Sequence, residues 1–149
     1  MHIALGADHG GFALKNDIAQ CLRDQGHDVA DYGTDSAASV DYPDYARQVA
    51  QAVAGGKHDC GILVCGTGQG MAMTANKVHG IRAAACSDTY SARMSREHND
   101  ANVLCLGGRV LGVGLALDVV EIWLRTPFSG DERHRRRVQK IADVDAARQ

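Results

Sequence analysis

Short apolar runs alternate along the chain with longer stretches whose apolar residues recur at helical spacing. His2 to Ala7 is such a run and predicts a strand leading into Asp8-His9-Gly10-Gly11. Phe12 to Gln25 then sets Leu14, Ile18, Cys21 and Leu22 on one stripe, with Lys15, Asp17, Arg23 and Asp24 off it, which predicts a surface helix packed on a sheet and closed by Gly26. His27 to Tyr32 predicts a weaker second strand. A polar loop follows, and Pro43 suits the first turn of a helix running to Ala54. The buried run Gly61 to Val64 predicts the central strand and Met71 to Lys77 its helix. Ile81 to Cys86 predicts a fourth strand, Asp88 to Asn99 a helix, Val103 to Leu106 a fifth strand, Gly112 to Arg125 a long apolar helix, and Asp131 to Ala147 a terminal helix beyond Pro127.

Strands alternating with helices of this length predict a parallel sheet covered on both faces. The expected architecture is an α/β, three-layer αβα Rossmann-like fold with a five-stranded parallel sheet in the order 2-1-3-4-5 and an extra C-terminal helix. The whole chain, residues 1–149, is expected to form one domain. Val113, Leu115, Leu117, Val119, Val120, Ile122, Trp123 and Leu124 leave the fifth helix apolar nearly all round. That is more than one sheet face requires, and it predicts a subunit interface.

Composition narrows the function classes. Apolar content of 45%, charged content of 23% and a net charge of −2 are ordinary for a globular protein and give no overall attraction to nucleic acid or membrane. No run approaches the roughly 18 apolar residues of a membrane span, and the apolar start is too short for a signal peptide, so a cytoplasmic protein is expected. Cys21, Cys60, Cys65, Cys86 and Cys105 contain no Cys-x-x-Cys pair, which argues against a disulfide framework and a zinc knuckle. All but Cys65 read as small core residues.

Candidate chemistry gathers at the carboxyl ends of strands 1 and 3, where an open parallel sheet binds ligands. Asp8-His9 ends strand 1. Cys65-Gly66-Thr67-Gly68-Gln69-Gly70 ends strand 3, and its glycines let the loop turn tightly into a helix whose first amides face the loop's contents. The bland alternative is a purely structural turn. The spacing matches neither Gly-x-x-x-x-Gly-Lys-Ser/Thr nor Gly-x-Gly-x-x-Gly, and Asp88 reads more simply as a helix N-cap than as a ribose-binding acid. A thiol at a helix start has its thiolate stabilised and serves as nucleophile or base. Beside it Thr67 could relay a proton, and the loop amides could hold an oxyanion. His98 and Asn99 end the fourth helix, where a lone histidine is commonly a cap. Arg109 follows strand 5 on the same rim. Arg133 and Arg137, four apart on one helix face, could converge on a phosphate, or could form a solvated basic face or nucleic-acid patch.

Taken together, Gly6-Ala7-Asp8-His9-Gly10-Gly11, Asp41-Tyr42-Pro43, Cys65 to Gly70, Ala75-Asn76-Lys77, Arg96-Glu97-His98-Asn99, Gly107-Gly108-Arg109 and Arg133-His134 with Arg137 resemble the type B ribose-5-phosphate isomerases and the related galactose-6-phosphate isomerase subunits. The resemblance runs from strand 1 to the terminal helix. It implies metal-independent aldose–ketose interconversion through a cis-enediolate with no cofactor, Cys65 as the base, His98 as the ring-opening acid and Thr67 assisting. It also implies that the amides of Gly66, Thr67, Gly68, Gln69 and Gly70 stabilise the enediolate, and that Asp8, His9, Tyr42 and Asn99 hold sugar hydroxyls. Arg109, Arg133 and Arg137 would bind phosphate, in a homodimer or homotetramer with shared sites. Six-carbon aldose phosphates are an alternative substrate class. A non-catalytic sugar-phosphate-binding module is the alternative from another class.

Overall fold

The computed structural model describes residues 1–148. Strands β1 (His2–Ala7), β2 (Asp28–Asp31), β3 (Cys60–Cys65), β4 (Ala83–Ala85) and β5 (Val103–Gly107) alternate with helices α1 (Phe12–Asp24), α2 (Tyr42–Ala54), α3 (Gln69–Ala75), α4 (Thr89–Glu97) and α5 (Val113–Arg125). Helix α6 (Glu132–Ala146) follows. Pro43 lies in the first turn of α2, where its missing N–H costs nothing. Asp88 is indeed a cap: its Oδ1 accepts the Ser91 N–H at 2.6 Å, and that bond holds its carboxyl below the usual range.

The strands pair in parallel, but in the order β2-β1-β3-β5-β4, which corrects the expected 2-1-3-4-5. The last two strands exchange places for a physical reason. β5 is buried along its whole length and supplies apolar bulk to both faces, whereas β4 is three part-exposed alanines with little side chain to bury. The bulkier strand takes the interior. As a result the loop after β5 lies directly beside the loop after β3.

Alternate residues of β3 feed two separate cores. Ile62 and Val64 point with Ile3, Leu5, Leu104 and Leu106 toward α1, α4 and α5. Leu63 and Cys65 point with Ala4, Val103 and Cys105 toward α2 and α3. Lys15, placed off the buried stripe by its sequence pattern, is in fact 2% exposed. Its ammonium donates to both Asp31 carboxylate oxygens (2.9 and 2.7 Å) and to the Thr34 carbonyl (2.7 Å), a pairing that makes the buried charge tolerable. Cys21 also departs from expectation, being part-exposed, while Cys60, Cys86 and Cys105 are buried and free.

Helix α5 buries Ala116, Val119, Val120 and Trp123, and packs Leu117, Ile122 and Leu124 against the same core. The all-round apolar pattern therefore reduces to an exposed patch at its start, with Val113 and Leu115 beside Val110. Helix α6 buries one residue, His134.

Candidate active site

Three loops meet at the carboxyl edge of the sheet, where the chain has crossed from β2 on one side of β1 to β3 on the other. Gly108 N–H donates to the Cys65 carbonyl (2.7 Å) and Arg109 N–H to that of Gly66 (3.0 Å). The packing is backbone against backbone: a Cβ on Gly108 would lie 2.6 Å from the Gly10 carbonyl oxygen. Cys65 ends β3 nearly buried, and its Sγ accepts the Gly68 N–H at 3.1 Å. Gly68 aims that amide from a left-handed turn (φ 81°) in which a side chain would be strained. Thr67 and Gln69 are exposed at the loop's tip, with the Gln69 N–H reaching Thr67 Oγ1 at 3.3 Å.

The surrounding side chains are set by the neighbouring loops. Asp8 is buried, and its Oδ1 accepts the N–H groups of Gly10 (2.8 Å) and Gly11 (3.2 Å). His9 Nδ1 accepts the Val40 N–H at 3.2 Å, which leaves the proton of its neutral ring on Nε2. Tyr42, at the start of α2, lays its ring across the start of α3: a methyl on Gly70 would come within 2.7 Å of Cε2 and Cζ. The Arg109 guanidinium lies against Gly66. The structure thus brings Asp8, His9, Tyr42, Cys65, Gly66, Thr67, Gly68, Gln69, Gly70 and Arg109 to one rim.

His98, Asn99, Arg133 and Arg137 are not on that rim. α4 starts at the carboxyl edge and runs back, so its C-cap His98 lies at the amino edge, where Arg82 just before β4 donates to the Asn99 carbonyl (3.2 Å). A parallel strand rises about 3.3 Å per residue, so the six residues of β3 hold the two groups about 17 Å apart along the sheet. The His98 ring stacks on His134, with centroids 4.3 Å apart and planes tilted by 32°. This places Arg133 and Arg137 of α6 beside His98, while Arg133 approaches Asp131 at 3.9 Å. Ser129 ties the segment down, its N–H donating to the Glu97 carbonyl (3.0 Å) and its Oγ lying 2.6 Å from His134 Nδ1.

His134 is the residue for which the sequence suggested no role. It is 3% exposed, and burial, then the neighbouring His98, push its imidazolium down from the usual histidine range. The signal was faint: one uncharged-capable ring inside an arginine run. Burial also pushes the thiols of Cys60 and Cys86 up to about 12 and about 11, and that of Cys105 well up, which removes them as nucleophiles. Among the described residues no cluster of three or more His, Cys, Asp or Glu is placed to hold a metal ion, and no helix is long and apolar enough to cross a membrane.

Residues 3–141 match the family model described as Ribose/Galactose Isomerase. Ribose-5-phosphate isomerase B of Escherichia coli (strain K12) is 51% identical over 146 residues, covering 98% of this chain and 97% of that one. D-erythrulose-4-phosphate isomerase of Pectobacterium atrosepticum is 48% identical, covering 87% of this chain and 86% of its own length. The solved structure of Clostridium thermocellum ribose-5-phosphate isomerase B superposes with a TM-score of 0.96 at 54% identity, covering 98% of each chain. The chain belongs to the ribose/galactose isomerase family and is an isomerase.

Proposed function

We propose that this family member interconverts D-ribose 5-phosphate and D-ribulose 5-phosphate through a cis-enediolate, with residues 1–149 as one catalytic domain. The observation that supports the reading best is the Cys65 thiol at the tip of the central strand, its Sγ accepting the Gly68 N–H at 3.1 Å. The sulfur thus has an amide donor aimed at it where an open parallel sheet binds its ligands. Cys65 then takes the proton from C2 of the aldose and returns it to C1, while Thr67 passes a proton between the two oxygens. Gly68 and Gln69 already donate to Cys65 and Thr67, so the other amides between Gly66 and Gly70 are assigned to the enediolate. Asp8 keeps Oδ2 for a sugar hydroxyl, and His9, Tyr42 and Asn99 complete the hydroxyl contacts.

In this reading His98 protonates the furanose oxygen to open the ring, and Arg109, Arg133 and Arg137 hold the phosphate. One chain keeps His98 and Cys65 at opposite edges, so a homodimer or homotetramer supplies the amino edge of one copy to the carboxyl edge of another. A two-fold axis makes that exchange reciprocal. Exposed Tyr42, Met73, Tyr90, Val110, Val113 and Leu115 support it, because most of them lie at helix starts on the carboxyl edge, where a partner would cover them. Five free cysteines fit a reducing, cytoplasmic setting.

The test is turnover of ribose 5-phosphate in chelator-treated buffer by wild type and Cys65→Ala. Activity that disappears in the variant supports both the reaction and its base. Activity that survives discards Cys65 as the base. Because the family description also names galactose, six-carbon aldose phosphates are a second reading. Higher kcat/KM on allose 6-phosphate or galactose 6-phosphate than on ribose 5-phosphate would select it.

A further inference from the structure

The buried ring behind His98 has a chemical consequence. His134 packs against His98 at 4.3 Å, and its Nδ1 faces the Ser129 hydroxyl at 2.6 Å. Ser129 Oγ accepts the Asp131 N–H at 3.2 Å, so its own proton is free to go to His134 Nδ1, which puts the ring hydrogen on Nε2. Ser129 in turn donates its N–H to Glu97, the residue before His98. The chain Glu97, Ser129, His134 therefore closes back on the face of His98 from the far end of the sequence. His98 carries 38% side-chain exposure and Glu97 Oε1 lies 3.7 Å from its Nε2, so among the described residues little besides the stack fixes its ring plane.

We propose that His134 is a positioning residue for His98: a neutral imidazole, locked by Ser129, against which the His98 ring is held in one plane as it delivers a proton. The inference rests on the reading of His98 as the ring-opening acid. Burial and the charges of His98, Arg133 and Arg137 oppose a proton on His134, with Asp131 pulling the other way. His98 is the outer, half-exposed ring of the pair, the one that can reach a substrate. Two protonated imidazoles stacked at this distance would repel, so one neutral member is the arrangement that the contact itself favours.

Ring opening is needed by ribose 5-phosphate, which is mostly cyclic, and not by ribulose 5-phosphate, whose C5 oxygen is phosphorylated and cannot close a five-membered ring. Two rates separate these demands: consumption of ribose 5-phosphate, and wash-in of deuterium at C1 of ribulose 5-phosphate in D2O, which needs the base alone. They are measured on wild type, His98→Ala, His134→Ala and His134→Phe, the last keeping a buried ring. The expected result for His134→Ala is a fall of about tenfold to a hundredfold in kcat for ribose 5-phosphate, a part of the roughly 10²–10⁴ that a general acid supplies. KM and C1 exchange should stay within about twofold of wild type, and His134→Phe should recover part of the loss. An equal fall in both rates makes the role merely structural and overturns the inference. A rise in KM on both substrates would place His134 on the substrate instead, and unchanged consumption would also sink it. If His98→Ala lowers both rates alike, the ring-opening reading fails and takes this inference with it. If only the His134 variants lack the selective loss, the ring-opening reading stands alone.

Discussion

The carboxyl edge and the amino edge of the sheet are built by opposite means. At the carboxyl edge the loops after β1, β3 and β5 pack main chain on main chain, with the Gly108 N–H on the Cys65 carbonyl and a Gly108 Cβ position only 2.6 Å from the Gly10 oxygen. At the amino edge the candidate side chains rest on other side chains. His98 lies on His134, and the helix that carries it is braced by Trp123, whose Nε1 donates to Ser95 Oγ at 3.1 Å and whose ring sits 4.9 Å from the Arg96 guanidinium. One region is precise because atoms are missing, and the other because large rings are present. Added volume should break the first and lost volume the second.

The largest effect tests whether the two edges belong to one site. Cys65→Ala and His98→Ala should each lower ribose 5-phosphate turnover by about 10²–10⁴-fold. Refolding the two inactive chains together should restore about a quarter of wild-type activity, because half the two-fold dimers are then mixed and one of their two sites is intact. No recovery on mixing would mean that each chain completes its own site.

Next in size is Trp123→Ala. Loss of a fully buried indole costs about 3–5 kcal/mol, and denaturant melts should show that loss. Gly108→Ala should cost less, about 1–3 kcal/mol for overpacking, yet lower turnover by displacing the Cys65 loop. An alanine at Gly108 with full stability and full activity would show that the loops have slack.

The smallest effect is a pH dependence of stability from His134. Its folded pKa lies below the ordinary 6.5, so below that pH the unfolded chain binds more protons, and stability present above 6.5 is lost as the pH falls. Melting temperatures from neutral pH to about 5 should fall more steeply for wild type than for His134→Phe. Parallel curves would show that His134 does not titrate with folding.

Legibility followed the same division. The Cys65 loop and the Asp8 turn are runs of adjacent residues after apolar strands, so local pattern placed them together at the crossing between β1 and β3. Asp88 as a cap and Pro43 at a helix start were also local facts. The burial of Lys15 was missed because its partner Asp31 is 16 residues away on another element. The order of β4 and β5 was missed because alternation of strand and helix says nothing about which strand takes the middle. The difference in bulk between Ala83–Ala85 and Val103–Gly107 was nevertheless visible in the sequence.

By itself the sequence determined the elements, their parallel pairing and the glycine loop that presents Cys65, since these depend on residue type and spacing over a few positions. The same pairing carries His98 to the far edge from Cys65, because a crossover helix must run antiparallel to its strands. Only the tertiary structure decided that His134 stands behind His98. Which distant ring then packs against it is settled by Ser129 and His134 closing onto the end of α4, a contact between segments far apart in sequence that no local pattern encodes.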